Sequence, residues 1–119
     1  MSVVQPIKGK ADELILRFLE HCHRRQFPAK STIIRQGDPS HDLFYIVRGS
    51  VTVMLEDEEG RELVLAYLNA GDFFGEIGLF NEHVNRSALV RAKNACEIAQ
   101  ISYERLKSMS TLFPDLLFG

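Results

Sequence analysis

A mainly β fold, an antiparallel jelly roll with short flanking helices, is the class this sequence predicts. Three observations carry that prediction. Glycines recur at Gly37, Gly49, Gly60 and Gly71, spaced 12, 11 and 11 residues apart, each in a turn-like setting such as "RQGDPS" or "NAGD". β-rich runs fill the intervals: "STIIR", "LFYIV", "SVTVMLE" and "ELVLAYL". In the third run, Val51, Val53 and Leu55 alternate with Ser50, Thr52, Met54 and Glu56, the period of two of a half-buried strand. Short strands separated by turn signals suggest a sandwich or barrel. A regular meander closing on itself as a jelly roll is the expected form.

The elements follow in order. Residues 1–10 read as a lead-in, and residues 11–119 as one domain. Asp12 opens a helix, because Ile15, Phe18, Leu19 and Cys22 fall at i, i+3, i+4 and i+7 on one apolar face. Helical periodicity stops near Arg24, and Pro28 confirms the change. After the four runs above, "GEIGLF" is too glycine-rich for a central strand and too short for a full helix. It reads as a loop leading into one helical turn. "SALVRAK" and "ACEIAQIS" resume strand character, with Asn94 near the turn between them. Ser102 is placed to N-cap a last helix, "YERLKSMS", with Glu104 in the first turn where the macrodipole favours an anion. Pro114 ends that helix or begins another.

Composition narrows the function classes. A chain of 119 residues with 45% hydrophobic and 25% charged residues has the makings of one folded core. A net charge of -2 argues against this chain gripping a nucleic-acid backbone by itself. The local exception is Arg24-Arg25, beside His21 and His23. No apolar run approaches the roughly 18 residues of a membrane span. Pro6, Lys8, Gly9 and Lys10 interrupt any signal-peptide core. Cys22 and Cys96 are too few for a disulfide scaffold and read as free, buried thiols of a cytoplasmic protein.

The chemistry concentrates in "GDFFGEIGLFNEHVNRSALVRA", residues 71–92. Gly75 and Gly78 let backbone approach a ligand closely. A helical turn starting there points unpaired N–H groups outward, a site for a phosphate. Arg86 supplies a permanent charge and a planar fork of donors suited to two phosphate oxygens, and Ser87 adds a hydroxyl. Glu76 would repel a phosphate, but it suits a ribose 2'-OH on the same ligand. An anionic group and a ribose hydroxyl close together describe a cyclic nucleotide. An Arg and a Glu ten residues apart are also what a surface ion pair presents, and the residues alone leave both readings open.

"GDFFGEIGLF", "NEHVNRSALVRA" and "CEIAQIS" together resemble the phosphate-binding cassette of the cyclic AMP receptor protein family of bacterial transcription regulators. The family's G-E-[LI]-G…R-S-A pattern is matched without a gap. The similarity runs upstream through "HCHRR", "KSTIIRQGD", "YIVRGSVTV" and "YLNAGDF", over roughly residues 14–117. The resemblance implies that cyclic AMP is the ligand, with no cofactor and no enzymatic activity. It implies that Gly75, Glu76 and Ile77 hold phosphate and ribose, Glu76 taking the 2'-OH. Arg86 and Ser87 would bind the cyclic phosphate with help from the Ala88 backbone. The base would lie against Val53, Leu65 and Leu68. Ala66 stands where some members of that family carry a serine that touches the base.

The resemblance also implies partners. Family members form homodimers through a long helix and bind DNA through a helix-turn-helix domain that follows it. Only "TLFPDLLFG" comes after Ser110, so neither element is expected in this chain. An isolated sensor domain fits the abrupt stop better than a degenerate relative that has lost its output. Positions matching His23, Arg25 and Arg105 touch RNA polymerase in the family; a solvated basic edge at a helix C-terminus is the plainer alternative. Rival classes are weaker. A cupin-like metalloenzyme or a phosphodiesterase needs inward-facing histidines in strands. His21 and His23 are expected at a helix end, His41 and His83 in loops. A family member rewired to cyclic di-GMP or a fatty acid would be expected to lose part of the Glu/Arg-Ser set, which is whole here. His21, Cys22 and His23 with Cys96 offer too poor a ligand set for a metal.

Overall fold

The computed structural model describes residues 10–75 and 85–109. In order these form α1 (Lys10–Glu20), β1 (His23–Phe27), β2 (Thr32–Ile34), β3 (Asp42–Arg48), β4 (Ser50–Glu56), β5 (Glu62–Asn69), β6 (Phe73–Phe74), β7 (Leu89–Ala92), β8 (Cys96–Ser102) and α2 (Tyr103–Ser108). Two four-stranded antiparallel sheets result, ordered β1-β8-β3-β6 and β2-β7-β4-β5. This is a jelly roll, as the turn spacing suggests, but its connectivity is not a meander. Only β4 and β5 are neighbours both in sequence and in a sheet. Pairing of β1 with β8, β2 with β7 and β3 with β6 runs the two halves of the chain alongside each other from the ends inward, and β3–β8 and β4–β7 pairings complete the sheets.

Glycine pacing works as expected at the turns: Gly37, Gly49, Gly60 and Gly71 all take positive φ. Side chains lock the turns further. Asp57 Oδ1 accepts from the Glu59 and Arg61 N–H groups (both 2.9 Å), and its Oδ2 from Arg61 Nε (2.8 Å). These bonds, the Arg61 backbone bond foremost, hold the Asp57 carboxyl below its ordinary pKa. Asn94 Oδ1 accepts from the Ser50 N–H at 2.8 Å, tying the β7–β8 turn to the start of β4.

Two apolar clusters hold the layers together. Between the sheets lie Phe27, Phe44, Ile46, Val51, Phe74 and Ile98, among others. On the outer face of the β1-β8-β3-β6 sheet, both helices pack through Phe18, Leu43, Ile101, Leu106 and Met109. Burial of this kind stabilises by about 25 cal/mol per Å² of apolar surface removed from water. Ser102 caps α2: its side chain accepts from the Arg105 N–H at 3.1 Å.

Several details depart from the sequence reading. The first helix starts at Lys10, which puts Asp12 in its first turn. Leu14, not Ile15, joins Phe18 and Leu19 in the apolar cluster, and Cys22 lies just past the helix end. "HRRQF" is a strand, where the end of a helix was expected. It is a sheet edge bonded only to β8 and buries only Phe27, so it carries no alternating pattern to read. His23 therefore does stand in a strand, but exposed, not facing inward. Phe73 and Phe74 form a strand too short for a periodicity signal. Val51 and Val53 both pack on the inter-sheet core, as the alternation in β4 predicts, but burial does not alternate, because Thr52 and Met54 are buried as well. A bulge opposite Val53 and Met54 leaves Leu65 of β5 without a partner. Pro114 lies outside the described residues.

Cys22 and Cys96 are free thiols, the first half-buried and the second buried. Cys22 donates to the Phe18 carbonyl at 3.4 Å. Burial pushes its pKa from 9.0 up to about 11, with Arg24 and Arg105 opposing. Because the folded value exceeds the unfolded one, this stabilisation is complete below about pH 9 and is lost as pH rises through about 11. Denaturant midpoints should therefore fall more steeply over that interval for the native chain than for Cys22→Ser. Parallel curves for the two proteins would show that the thiol is solvated.

Candidate functional site

Register brings distant segments to one corner of the roll. In β3, Asp42 stands opposite Ser102 of β8, and Phe44 opposite Phe74 of β6. Gly75 and Tyr103, each one residue past those partners, therefore flank the start of β3. The loop before β3 then captures Arg86. The Arg86 N–H donates to the Asp38 carbonyl (2.6 Å), and its carbonyl accepts from the Gly37 N–H (2.8 Å). A bridge between Pro39 and Asn85 completes the clamp.

The Arg86 side chain is half-buried and ordered by neutral acceptors. Nη1 donates to the Gly75 carbonyl (3.0 Å) and to Tyr103 Oη (3.3 Å), and Nη2 to the Asp42 carbonyl (2.7 Å). Its guanidinium carbon lies 5.6 Å from the centroid of the Phe44 ring, which in turn stacks on Phe74 at 5.0 Å. The described residues thus use three of the five N–H groups, and leave those on Nε and one on Nη2. Among the described residues, no carboxylate pairs with this cation. The guanidinium is thus held, among the described residues, by neutral groups alone, two carbonyls and a phenol.

Gly75 makes the close approach feasible. Its φ is +84°, and a Cβ there would lie 2.9 Å from Arg86 Nη1, 3.0 Å from the Phe44 ring and 3.1 Å from the Asp42 carbonyl. Any side chain would both strain the backbone and push the guanidinium out of place.

These groups open on a cavity of about 360 Å³. Gly75, Arg86, Ser87 and Ala88 line it, together with Val53 of β4 and Leu65 and Leu68 of β5. Seven of the nine ligand positions named from sequence are thereby brought together. Glu76 and Ile77 lie outside the described residues, as do Gly78 and His83. Sequence reasoning missed Ser40, Asn85 and the floor residues Ile34 and Val90. It also missed Tyr103 and Asp42 as supports of Arg86. No local signal marks these, because the segments that carry them are brought together by pairing between strands far apart in the chain. Ala66 also lines the cavity. The walls are mostly apolar with a few convergent polar groups, the usual make-up of a small-molecule site.

The basic positions lie elsewhere, at the β1 edge. His23 and Arg25 are exposed two apart on β1. Arg25 donates to Gln100 Oε1 (3.1 Å) and lies 4.8 Å over the Phe27 ring. Arg105 Nε donates to the His21 carbonyl at 3.2 Å, which draws α2 towards the end of α1. Glu97 is bonded by Arg24 (2.5 Å) and Arg48 (3.0 Å), and the Arg24 bond holds its carboxyl below the ordinary pKa. No group of three or more His, Cys, Asp or Glu side chains suited to a metal occurs among the described residues. None of the described helices is long and apolar enough to cross a membrane.

The family model described as "Cyclic nucleotide-binding domain" matches residues 24–111. The chain belongs to the cyclic nucleotide-binding domain family. Among curated members, it is 52% identical over 110 residues to the cAMP-activated global transcriptional regulator CRP of Salmonella typhimurium, covering 92% of this chain and 52% of that protein. It is 50% identical over 105 residues to the regulator Vfr of Pseudomonas aeruginosa, also described as cAMP-activated, covering 86% and 49%. Among solved structures, the c-di-GMP responsive regulator CLP of Xanthomonas campestris superposes with a TM-score of 0.83 at 44% identity, covering 88% and 52%. The Thermus thermophilus catabolite activator protein gives 0.78 at 30%, covering 89% and 49%. This cyclic nucleotide-binding domain thus spans about half the length of the relatives it matches.

Proposed function

We propose that this chain is the cyclic AMP-sensing domain of a bacterial transcription regulator. The observation that carries the reading is Arg86: a cation with spare donors and no counter-charge among the described residues, beside a largely apolar cavity. Arg86 and Ser87 take the cyclic phosphate, with the Gly75 and Ala88 backbone alongside. The base lies against Val53, Leu65 and Leu68. Glu76 accepts from the ribose 2'-OH, and Ile77 belongs with Gly75 and Glu76 to the set that holds phosphate and ribose, roles carried by the cassette pattern "GEIGLF…NRSA". The ligand leaves unchanged, so the domain is a sensor and not an enzyme, and it needs no cofactor. Binding shifts the population of output-competent states. The full-length regulator acts in the cytoplasm as a homodimer and reaches DNA through a further domain. His23, Arg25 and Arg105 then offer a cationic edge to RNA polymerase.

The likeness to CLP favours a second reading, cyclic di-GMP as ligand. That ligand carries two phosphates and two bases. Only one arginine is among the described residues lining the cavity, and the relatives described as cAMP-activated share more of this sequence. Calorimetric titration of the purified chain with cyclic AMP, cyclic GMP and cyclic di-GMP separates these. Saturable binding of one cyclic AMP per chain is expected, with 2'-deoxy cyclic AMP weaker by about 1–3 kcal/mol. Tight binding of cyclic di-GMP alone would replace the reading.

A further inference from the structure

We infer that Tyr103 is a positioning residue that orders the Arg86 guanidinium, an inference that deepens the phosphate-site reading above and rests on it for its consequence in binding. The phenol oxygen meets three groups: the Gly75 carbonyl, Arg86 Nη1 at 3.3 Å and Ser40 Oγ at 2.6 Å. A tyrosine hydroxyl has one proton and two acceptor sites. The Gly75 carbonyl can only accept, so it takes the phenolic proton. The two remaining sites on the oxygen then accept from Arg86 and from Ser40, which makes Ser40 the donor in its pair. All three bonds of this hydroxyl run in one direction, from Ser40 and Arg86 into Tyr103 and from Tyr103 into Gly75.

That arrangement couples the two chain segments that flank the site. Gly75 leaves β6 and Arg86 leads into β7, and the Gly75 carbonyl accepts from both Arg86 and Tyr103. The phenol itself cannot drift. Its ring is buried in the outer apolar cluster with Phe18, Leu43 and Leu106, and its N–H donates to the His41 carbonyl at 2.8 Å. A ring anchored in the core therefore delivers a hydroxyl to the one arginine among the described residues lining the cavity. With Nη1 held by Tyr103 and Gly75, and one N–H of Nη2 by Asp42, rotation about Cζ–Nε breaks all three of these hydrogen bonds and rotation about Cζ–Nη1 breaks two. The edge bearing the spare Nε and Nη2 donors is thus set before any anion arrives, which lowers the ordering cost of binding.

Tyr103→Phe isolates the hydroxyl, because the buried ring is kept. The test has two readouts on the full chain: nitrogen-15 NMR of the Arg86 side chain without ligand, and calorimetric affinity for cyclic AMP. Hindered rotation of the Arg86 guanidinium is expected in the native chain and fast averaging in Tyr103→Phe, with cyclic AMP affinity lower by roughly tenfold. Ser40→Ala should change both in the same direction by less, and it stands in should Tyr103→Phe fail to fold. Unchanged Arg86 rotation in both variants would overturn the inference, even if affinity fell. Altered rotation in a chain that binds no cyclic nucleotide would uphold Tyr103 as the support of Arg86 and overturn the phosphate-site reading instead.

Discussion

Arg86→Ala is expected to weaken cyclic AMP binding by about 3–5 kcal/mol, the cost of leaving an enclosed anion without its partner. The size follows from what surrounds the guanidinium. Arg86 is the only arginine or lysine among the described residues lining the cavity, so nothing else there can take over the phosphate. The apolar walls that suit a base leave a bare phosphate poorly solvated. Removing the side chain also strips the Gly75 and Asp42 carbonyls of a donor they share with no other described side chain except Tyr103. Arg86→Lys should recover only part of the loss. A lysine restores the charge but cannot serve two carbonyls, a phenol and two phosphate oxygens from one ammonium. Calorimetry on both variants checks this, with circular dichroism to confirm the fold. Native affinity in Arg86→Ala would mean that the phosphate, if bound, sits elsewhere.

The largest effect on stability is expected at the β3–β4 turn. Gly49 has a φ of +97°, and a Cβ there would stand 2.5 Å from the Ala95 carbonyl oxygen, 2.8 Å from Cys96 Sγ and 2.9 Å from Cys96 Cα. Two of those atoms are backbone and cannot rotate away. Cys96 is itself fixed, its single S–H lying between the Ser50 and Asn94 carbonyls, 3.1 and 3.2 Å from Sγ. Gly49→Ala therefore combines left-handed backbone strain of about 1–2 kcal/mol with overpacking of about 1–3 kcal/mol. Against a typical domain stability of about 5–15 kcal/mol, that removes a large share. The melting temperature should drop by more than about 10 °C. Gly60→Ala is the control: φ is +84°, but nothing lies within 4 Å of the added carbon. It should lose only the backbone strain. Equal melting temperatures for the two variants would refute the steric account of Gly49.

The two cases differ in how far sequence could foresee them. Gly49 was readable as a turn glycine from "VRGS" and its spacing, since turn chemistry is local. That the β7–β8 turn and the start of β8 lie against it was not readable. The same division runs through the fold. Strands β3, β4, β5 and β8 announce themselves by apolar runs, and Ser102 announces the start of α2. β1 does not, because an exposed edge needs no apolar pattern. β6 is two residues held by β3 alone. The bulge that leaves Leu65 of β5 unpaired opposite Val53 and Met54 carries no local mark either.

The amino-acid order by itself determined the turns, most of the strands, and the residue types of the cassette: a glycine for close approach, then an arginine and serine ten or so positions on. Those are properties of neighbouring residues, and local physics suffices to read them. Tertiary structure alone decided which groups order the Arg86 side chain. Among the described residues its acceptors come from β3, from the end of β6 and from the start of α2, and all of them are neutral. Whether a cation is neutralised or left available depends on which remote groups the fold brings within about 3 Å, and strand register, not sequence spacing, sets that.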